Sequence, residues 1–283
     1  MTEAGGAADR AYEQRSTSEL VELMSASDEA VPPAVGRQRV AIARAIDDIV
    51  ERLKGGGRLI YAGAGTSGGL AALDAQECET TFSTAPGQVI AVVSADPAAE
   101  DDRDAGSAEL QALGVAATDA VVGISASGRT PFVLGALETA SDAGALTVAL
   151  VSSNESELAR IADREIAVVV GPEFIAGSTR LKAGTAQKLV LNAISTISMI
   201  RLGKTFGNLM VDVAAANEKL RARVHRIVRT ATGASAEEVD AALEAADGDA
   251  KVAIVTLLAG IDAATARSRL EQADGNVRLA LQG

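Results

Sequence analysis

The spacing of apolar residues changes along the chain and separates it into segments. From Arg15 to Leu53 the apolar residues recur every three or four positions, which predicts two helices separated at Pro32-Pro33. Gly55-Gly56-Gly57 then ends the second helix.

Five short runs rich in β-branched residues follow this helical segment. Each run is apolar at successive positions, which is typical of parallel strands covered by helices on both faces. The runs span residues 58–62, 88–93, 120–125, 146–151 and 166–170. Because helix-length segments separate them, they predict an α/β fold with a doubly wound, five-stranded parallel sheet and flanking helices. Two long helices are predicted next, at about 186–202 and 213–229.

The last fifty or so residues are rich in Ala, Asp and Glu and contain an internal repeat. The pattern Leu243, Ala246-Asp247-Gly248, Lys251, Ala253 returns as Leu270, Ala273-Asp274-Gly275, Arg278, Ala280. Each copy predicts a helix that Gly stops and that then restarts, and we interpret this module as a packing or dimer-bracing appendage. The chain is therefore divided into a helical segment (1–54), an α/β domain (55–232) and a helical module (233–283).

Composition and charge exclude several classes of protein. Hydrophobic residues make up 48% and charged residues 23%, which is typical of a globular chain. With 26 Lys and Arg against 38 Asp and Glu, the net charge of −12 argues against nucleic-acid or anionic-membrane partners. One Cys forms no internal disulfide, and one His with one Cys makes a structural zinc site improbable. With no signal-peptide pattern or long apolar run, we expect a soluble, cytoplasmic protein.

A glycine-rich loop with two hydroxyl groups follows the first predicted strand. Gly63-x-Gly65-x-x-Gly68 fits the dinucleotide fingerprint, but the acid expected about 20 residues further on would be Asp96, which comes late. Thr66 and Ser67 beside the glycines instead predict a cup for a phosphate group.

A second loop of this kind follows the third predicted strand. It offers Ser125, Ser127, Gly128 and Thr130, and Pro131 suits the first turn of a helix. Either loop alone is also typical of an ordinary capped helix start. Because ligands of open α/β sheets bind at the carboxyl ends of the strands, the two loops together predict a site for one phosphate ester.

A third cluster lies before the first long helix. It contains Glu173, Ser178, Arg180 and Lys182, of which Arg180 and Lys182 supply local positive charge in an acidic chain. A solvated loop before a helix accounts for this pattern equally well.

Taken together, these motifs resemble those of the sugar isomerase (SIS) superfamily and, within it, the N-acetylmuramic acid 6-phosphate etherase family. The resemblance covers about residues 15–283, including a tail similar to ubiquitin-associated (UBA) modules. It rests on residues 58–67, Leu73-Asp74-Ala75 with Glu77-Cys78, Glu100-Asp101-Asp102, residues 125–131 and the long run 177–223. The chain departs from the family pattern at Gly69, Glu79-Thr80 and Ala176, and in a short segment between Glu77 and Glu100.

The resemblance implies an activity and its residues. The family cleaves the D-lactyl ether of N-acetylmuramate 6-phosphate with water, without metal or cofactor, giving N-acetylglucosamine 6-phosphate and D-lactate. Elimination needs a base at C2 and an acid at the ether oxygen, and the family's acid and base fall on Glu77 and Glu100. The substrate-binding residues implied are Gly65, Thr66, Ser67, Ser125, Ser127, Gly128, Thr130, Glu173, Ser178, Arg180 and Lys182.

Without the resemblance, both glutamates are ordinary surface carboxylates near helix ends. The place of Glu77 beside Cys78, after an apolar helix, favours a buried and protonated acid, whereas repulsion from Asp101, Asp102 and Asp104 would make Glu100 a stronger base. Glu77 follows Ser67 by about 15 Å of helix, which is far for one hexose phosphate to bridge. Since SIS domains commonly pair, we expect a homodimer in which Glu77 acts in the partner's site.

Three other functions are compatible with these residues. They are a non-catalytic sugar-phosphate sensor resembling the glucokinase regulatory branch of the superfamily, an aldose–ketose phosphate isomerase with Glu173 as base, and a dehydrogenase. Cys78 is expected to be a small buried residue. His225 lies in a basic helix whose residues are interpreted as a solvated face, with a neighbour's sugar-phosphate site as the alternative; they are Lys219, Arg221, Arg223, Arg226 and Arg229.

Overall fold

A computed structural model describes residues 11–154, 156–212 and 218–283 and confirms the predicted five-stranded parallel sheet. The strands are β1 (Leu59–Gly63), β2 (Val89–Val93), β3 (Ala120–Ser125), β4 (Leu146–Val151) and β5 (Arg164–Ala167). Every residue of β1, β3 and β4 is buried, because helices cover both faces of the sheet. The strand order β2-β1-β3-β4-β5 places the topological switch point between β1 and β3, where doubly wound folds bind their ligands.

Nine α-helices lie in or begin in the part of the chain that contains the sheet, counted over its described residues, and a short 3-10 turn precedes them at Tyr12–Gln14. They are α1 (Thr17–Asp28), α2 (Val31–Arg37), α3 (Arg39–Lys54), α4 (Gly65–Phe82), α5 (Pro97–Glu100), α6 (Arg103–Ala112), α7 (Pro131–Asp142), α8 (Glu157–Ile161) and α9 (Lys182–Arg201). On one face of the sheet, α7 contributes Phe132, Val133 and Leu137 to a core with Ile60 of β1 and Val121 of β3.

Three of the differences between the predicted and the observed elements have a clear physical reason. The N-terminal segment forms three helices, because Pro32-Pro33 fits the first turn of α2. Strand β5 ends at Ala167, and the predicted run 166–170 continues past it because Val168 and Val170 are also buried. Helix α9 begins at Lys182, four residues early, because a carboxylate from outside the helix caps its first turn.

The described residues divide into two compact units. The first comprises the residues up to Gln76 and Gly87–Ser195, and the second comprises Glu77–Pro86 and Thr196–Gly283. In its described part the second unit contains the ends of α4 and α9, a two-stranded antiparallel ladder and five further helices. These are β6 (Thr205–Phe206), β7 (Leu209–Met210), α10 (Glu218–Thr232), α11 (Ala236–Ala245), α12 (Ala250–Ala259), α13 (Ala263–Gln272) and α14 (Val277–Ala280). The start of the helix predicted at 213–229 lies outside the described residues, since 213–217 are not among them.

The repeat in the second unit has a structural counterpart. Asp247-Gly248 and Asp274-Gly275 both adopt positive φ angles, 54° and 81° in the first pair and 49° and 74° in the second. Each pair lies between the end of one helix and the start of the next, as the sequence predicts. The helices bury a shared apolar core around Val239, Ile254 and Leu270. Within the described residues, no helix is long and apolar enough to cross a membrane.

Candidate active site

The glycines of the first loop allow strand β1 to turn directly into helix α4. A Cβ atom on Gly63 would lie 2.9 Å from the backbone nitrogen of Gly68, and one on Gly68 would lie 2.5 Å from Val93 Cγ1. Gly65 has a φ angle of +52°, which disfavours a residue with a side chain. By contrast, a Cβ on Gly69 would meet no atom within 4 Å, so packing does not require a glycine at this position, where the chain departs from the family pattern.

Thr66 and Ser67 of this loop lie against the first turns of α9. Ser67 Oγ donates a hydrogen bond to Gln187 Oε1 at 2.9 Å. A Cβ on Gly184 would lie 3.5 Å from Thr66 Cγ2, so a small residue at that position lets the two helices approach closely. The N-termini of α4 and α9 therefore lie beside the hydroxyl groups of Thr66 and Ser67, where the sequence predicts a phosphate site. Helix N-termini favour anions.

Glu100 is brought to the same loop by α5, a single helical turn. A Cβ on Gly65 would lie 3.6 Å from Glu100 Oε2, and the Glu100 side chain is half-buried. Asp96 starts this turn by accepting hydrogen bonds from the backbone of Ala98 and Ala99, at 2.8 and 2.9 Å. The acid that a dinucleotide site would require is therefore a helix cap in this chain.

The second loop brings its three hydroxyl groups together. Ser125 Oγ lies 2.8 Å from Thr130 Oγ1 and 3.3 Å from Ser127 Oγ, and it accepts a hydrogen bond from Gly128 N at 3.0 Å. Gly128 has a φ angle of +69°. Since Gly63 of β1 pairs with Ile124 of β3, the first and second loops emerge from neighbouring strands at the switch point.

The third cluster caps helix α9. Glu173 is 4% exposed, and its carboxylate accepts hydrogen bonds from Lys182 N at 3.0 Å and Ala183 N at 2.9 Å. Lys182 is 5% exposed, Ser178 is half-buried and Arg180 is exposed. Both oxygens of Glu173 thus serve backbone groups at the start of the helix, which gives this residue a structural role.

Glu77 belongs to the second unit, whereas every other predicted site residue belongs to the first. It lies on α4, which runs without interruption from Gly65 to Phe82. The expectation that Glu77 is buried is wrong for the single chain: Glu77 is exposed and Cys78, the next residue, is buried as predicted. Successive helical residues point about 100° apart, so only one of the two occupies the packed face.

Two polar residues to which the sequence analysis assigned no role in the site lie on the buried faces of α4 and α9. Gln187 is 2% exposed and holds Ser67. Asp74 accepts hydrogen bonds from Tyr61 Oη at 2.9 Å and from Ser195 Oγ at 3.1 Å. The signal available in the sequence was the presence of polar residues in otherwise apolar helical faces.

The basic helix α10 is solvated on its arginine side, as predicted. Arg221, Arg223, Arg226 and Arg229 are exposed, while the Lys219 side chain lies outside the described residues. His225 is half-buried and its Nε2 lies 3.1 Å from Asp240 Oδ1 of α11.

Comparisons with known proteins identify the family. The family model for the glucokinase regulatory protein N-terminal SIS domain matches residues 41–141, and that for the SIS domain matches residues 103–197. An N-acetylmuramic acid 6-phosphate etherase of Rubrobacter xylanophilus is 57% identical over 273 residues, covering 94% of this chain and 90% of the relative. An enzyme of the same name from Streptomyces avermitilis is 54% identical over 277 residues, covering 95% and 89%.

A solved structure supports the fold. The phosphoheptose isomerase of Francisella tularensis matches with a TM-score of 0.53 at 20% identity, over 66% of this chain and 100% of that one. This likeness shows the SIS fold alone, whereas the identity to the two etherases extends over nearly the whole sequence. The chain therefore belongs to the N-acetylmuramic acid 6-phosphate etherase family.

Proposed function

We propose that this protein cleaves the D-lactyl ether of N-acetylmuramic acid 6-phosphate to N-acetylglucosamine 6-phosphate and D-lactate. The observation that carries the proposal is the position of the Glu100 carboxylate against Gly65, at the edge of a hydroxyl-bearing loop, in a chain whose relatives are named as etherases. A carboxylate beside a phosphate cup is suited to remove a proton from a carbon near the phosphorylated end of a sugar.

The phosphate group is held by the two loops at the switch point. The first supplies Thr66, Ser67 and the N-terminus of α4, and the second supplies the cluster of Ser125, Ser127 and Thr130. These donors are local, which the acidic chain requires because its net charge of −12 repels a phosphate at long range. Lys182 and Arg180 add positive charge near the start of α9.

In the ring-opened sugar, the aldehyde makes the proton on C2 acidic. Glu100 removes this proton, a double bond forms between C2 and C3, and the C3–O bond breaks. Glu77 donates a proton to the departing oxygen, so that D-lactate leaves as the alcohol. Water then adds across the double bond, its oxygen bonding to C3 and a proton returning to C2. No oxidant or reductant is needed, because the two steps together are a hydrolysis.

The exposure of Glu77 in a single chain supports an arrangement in which this acid acts in the site of a partner subunit. A symmetric homodimer would cover the acid and supply the desolvation that a proton donor needs. We also place the reaction in a reducing compartment such as the cytoplasm, because the sequence contains a single cysteine, Cys78, which cannot form an internal disulfide.

Complementation tests the shared site. If Glu77 acts across the dimer, mixing subunits that carry Glu77→Ala with subunits that carry Glu100→Ala creates heterodimers with one intact site. Half of the dimers in an equal mixture are heterodimers, so about a quarter of the wild-type sites should be restored. If both glutamates act in one subunit, every site lacks one of them and no activity returns.

The reaction itself is tested in deuterated water. The purified protein should release D-lactate from N-acetylmuramic acid 6-phosphate and place deuterium at C2 of the product. Glu100→Ala should abolish both lactate release and exchange at C2, whereas Glu77→Ala should abolish lactate release and retain exchange. Binding of the substrate without lactate release would contradict the proposal and indicate a sugar-phosphate sensor, and the opposite pattern in the two variants would exchange their roles.

A further inference from the structure

We propose that Gln187 is a positioning residue that decides to which partner Ser67 donates its hydroxyl proton. The inference deepens the proposed function, since it rests on Ser67 lying in a phosphate site. Gln187 is 2% exposed and lies on α9 opposite the first loop. Its Oε1 accepts the hydrogen bond from Ser67 Oγ at 2.9 Å, while its Nε2, which is shielded from solvent, has no hydrogen-bond partner among the described residues.

An amide group is unexpected at this place on packing grounds. The neighbouring positions on the same face of α9 are apolar and fully buried: they are Ala183, Ala186, Val190 and Leu191. An apolar residue would fill this position without leaving a buried N–H group unpaired, and an unpaired buried donor is costly. Packing of the core therefore does not explain why this position carries an amide group.

The direction of the hydrogen bond supplies that explanation. A phosphate dianion only accepts hydrogen bonds, so Ser67 binds it only by donating its single proton. In the arrangement with Oε1 facing Ser67, that proton is already used by Gln187. Rotating the carboxamide by half a turn places Nε2 where Oε1 was, because the two ends of the group have nearly the same shape.

In the rotated state Gln187 donates to Ser67 Oγ and Ser67 donates to a phosphoryl oxygen. The unpaired Nε2 gains a partner, and the two hydrogen bonds form a chain in which each strengthens the next. The carbonyl oxygen then takes the shielded position, which is the less costly group to leave unpaired. Gln187 touches no substrate atom in this scheme, and it acts only through Ser67.

A purely structural role, in which Gln187 simply joins α4 to α9, is the competing explanation, and the chain offers a matched control for it. Ser195 Oγ donates to Asp74 Oδ1 at 3.1 Å, joining the same two helices roughly two turns further along. Ser195→Ala removes a bond between these helices without touching either loop. It should lower the melting temperature and leave sugar-phosphate binding unchanged.

The test is a double-mutant cycle read by calorimetric binding of N-acetylglucosamine 6-phosphate. Gln187→Met keeps the length of the side chain and removes its hydrogen bonds, and Gln187→Leu is measured in the same way as a second apolar variant. Each should weaken binding about tenfold, as should Ser67→Ala. Combining Gln187→Met with Ser67→Ala should weaken binding no further than Ser67→Ala alone, because Gln187 acts only through that hydroxyl. In turnover, Gln187→Met should raise KM and change kcat little.

Additive effects of Gln187→Met and Ser67→Ala would overturn the inference, as would an equal loss of binding in Ser195→Ala. The binding assay also separates this inference from the proposed activity. A wild-type protein that binds the sugar phosphate but releases no lactate from the ether substrate would contradict the activity alone. A wild-type protein that does not bind the sugar phosphate would overturn both.

Discussion

Gly128 in the second loop is held by two independent constraints, so a single added methyl group should have a large effect. Its φ angle of +69° is in the left-handed region. A Cβ atom at this position would lie 2.8 Å from Ser156 Oγ and closer still to Ser156 Cβ, and 3.2 Å from Val151 Cγ1. Ser156 cannot simply turn away, because its hydroxyl caps α8 by accepting a hydrogen bond from Ala159 N.

Gly144 separates the two constraints. It has a similar φ angle of +75°, but a Cβ there would lie 3.5 Å from the nearest atom, Ala117 Cβ, in ordinary contact. Gly144→Ala should therefore cost only the left-handed conformation, about 1–2 kcal/mol. Gly128→Ala adds the overlap with Ser156, about 1–3 kcal/mol more. For a protein of this size, that difference should lower the melting temperature of Gly128→Ala by roughly 2–12 °C below that of Gly144→Ala.

The two variants should also differ in function. Gly128 N donates to Ser125 Oγ at 3.0 Å, so a displaced backbone disturbs the hydroxyl cluster, and we expect Gly128→Ala to lose roughly tenfold or more in substrate affinity. Gly144→Ala should keep wild-type affinity. Thermal unfolding and calorimetric binding measure both effects, and equal melting temperatures and equal affinities for the two variants would refute the reasoning.

Three further predictions concern charged residues. Burial favours the neutral form of Asp119, but hydrogen bonds from Arg58 and the backbone hold the pKa of Asp119 below its usual 3.8. Asp119→Asn should therefore lower the free energy of unfolding by about 3 kcal/mol at pH 7. Thermal unfolding should show that this deficit shrinks as the pH falls below about 4, because the wild type then loses the same stabilisation. Glu173→Gln should lower the melting temperature and retain deuterium exchange at C2, whereas loss of exchange with unchanged stability would make this residue a base. Asp212 pairs with both Lys204 and Lys251. Asp212→Ala should lower the melting temperature more than Lys251→Met, because the Asp212 variant leaves the buried Lys251 ammonium unpaired, whereas the Lys251 variant leaves Asp212 paired with Lys204. Equal decreases in melting temperature would contradict this reasoning.

The strands were predictable because most of them begin and end where the sequence changes between apolar and polar or glycine residues. The bounds of β3 and β4 match the predicted runs, β2 begins one residue later than predicted, and β1 is shifted by one residue at both ends. Strand β5 was placed too late because the apolar residues mark burial, which continues through Val168 and Val170 after pairing has ended. A run of apolar residues indicates which side chains are buried, but it does not indicate where the backbone stops pairing with the neighbouring strand.

The parts of the site that depend on short motifs after each strand were predictable, whereas those that depend on contacts between separate segments were not. The rule that ligands bind at the carboxyl ends of strands is enough to bring the two loops together. The partners Ser67 and Gln187 are 120 residues apart, so no short window of sequence contains that pair. Glu173 lies only nine residues before Lys182, but the sequence pattern does not show that the loop between them folds back so that Glu173 caps α9. The burial of Glu77 was misjudged because the phase of α4 gives the packed position to Cys78.

The glycine motif of the first loop shows why its spacing alone is a weak indicator of the ligand. Gly63 and Gly68 are needed because the strand and the helix approach too closely to leave room for a Cβ atom. This packing requirement is the same whichever ligand such a fold binds. Only Gly65 faces a group of functional interest, the Glu100 carboxylate. The information about the ligand lies instead in Thr66 and Ser67, whose hydroxyl groups stand at two helix N-termini and suit a single phosphoryl group. Replacing both hydroxyls should therefore weaken sugar-phosphate binding by more than the loss expected for Ser67→Ala alone, in a chain whose strand-to-helix turn remains intact.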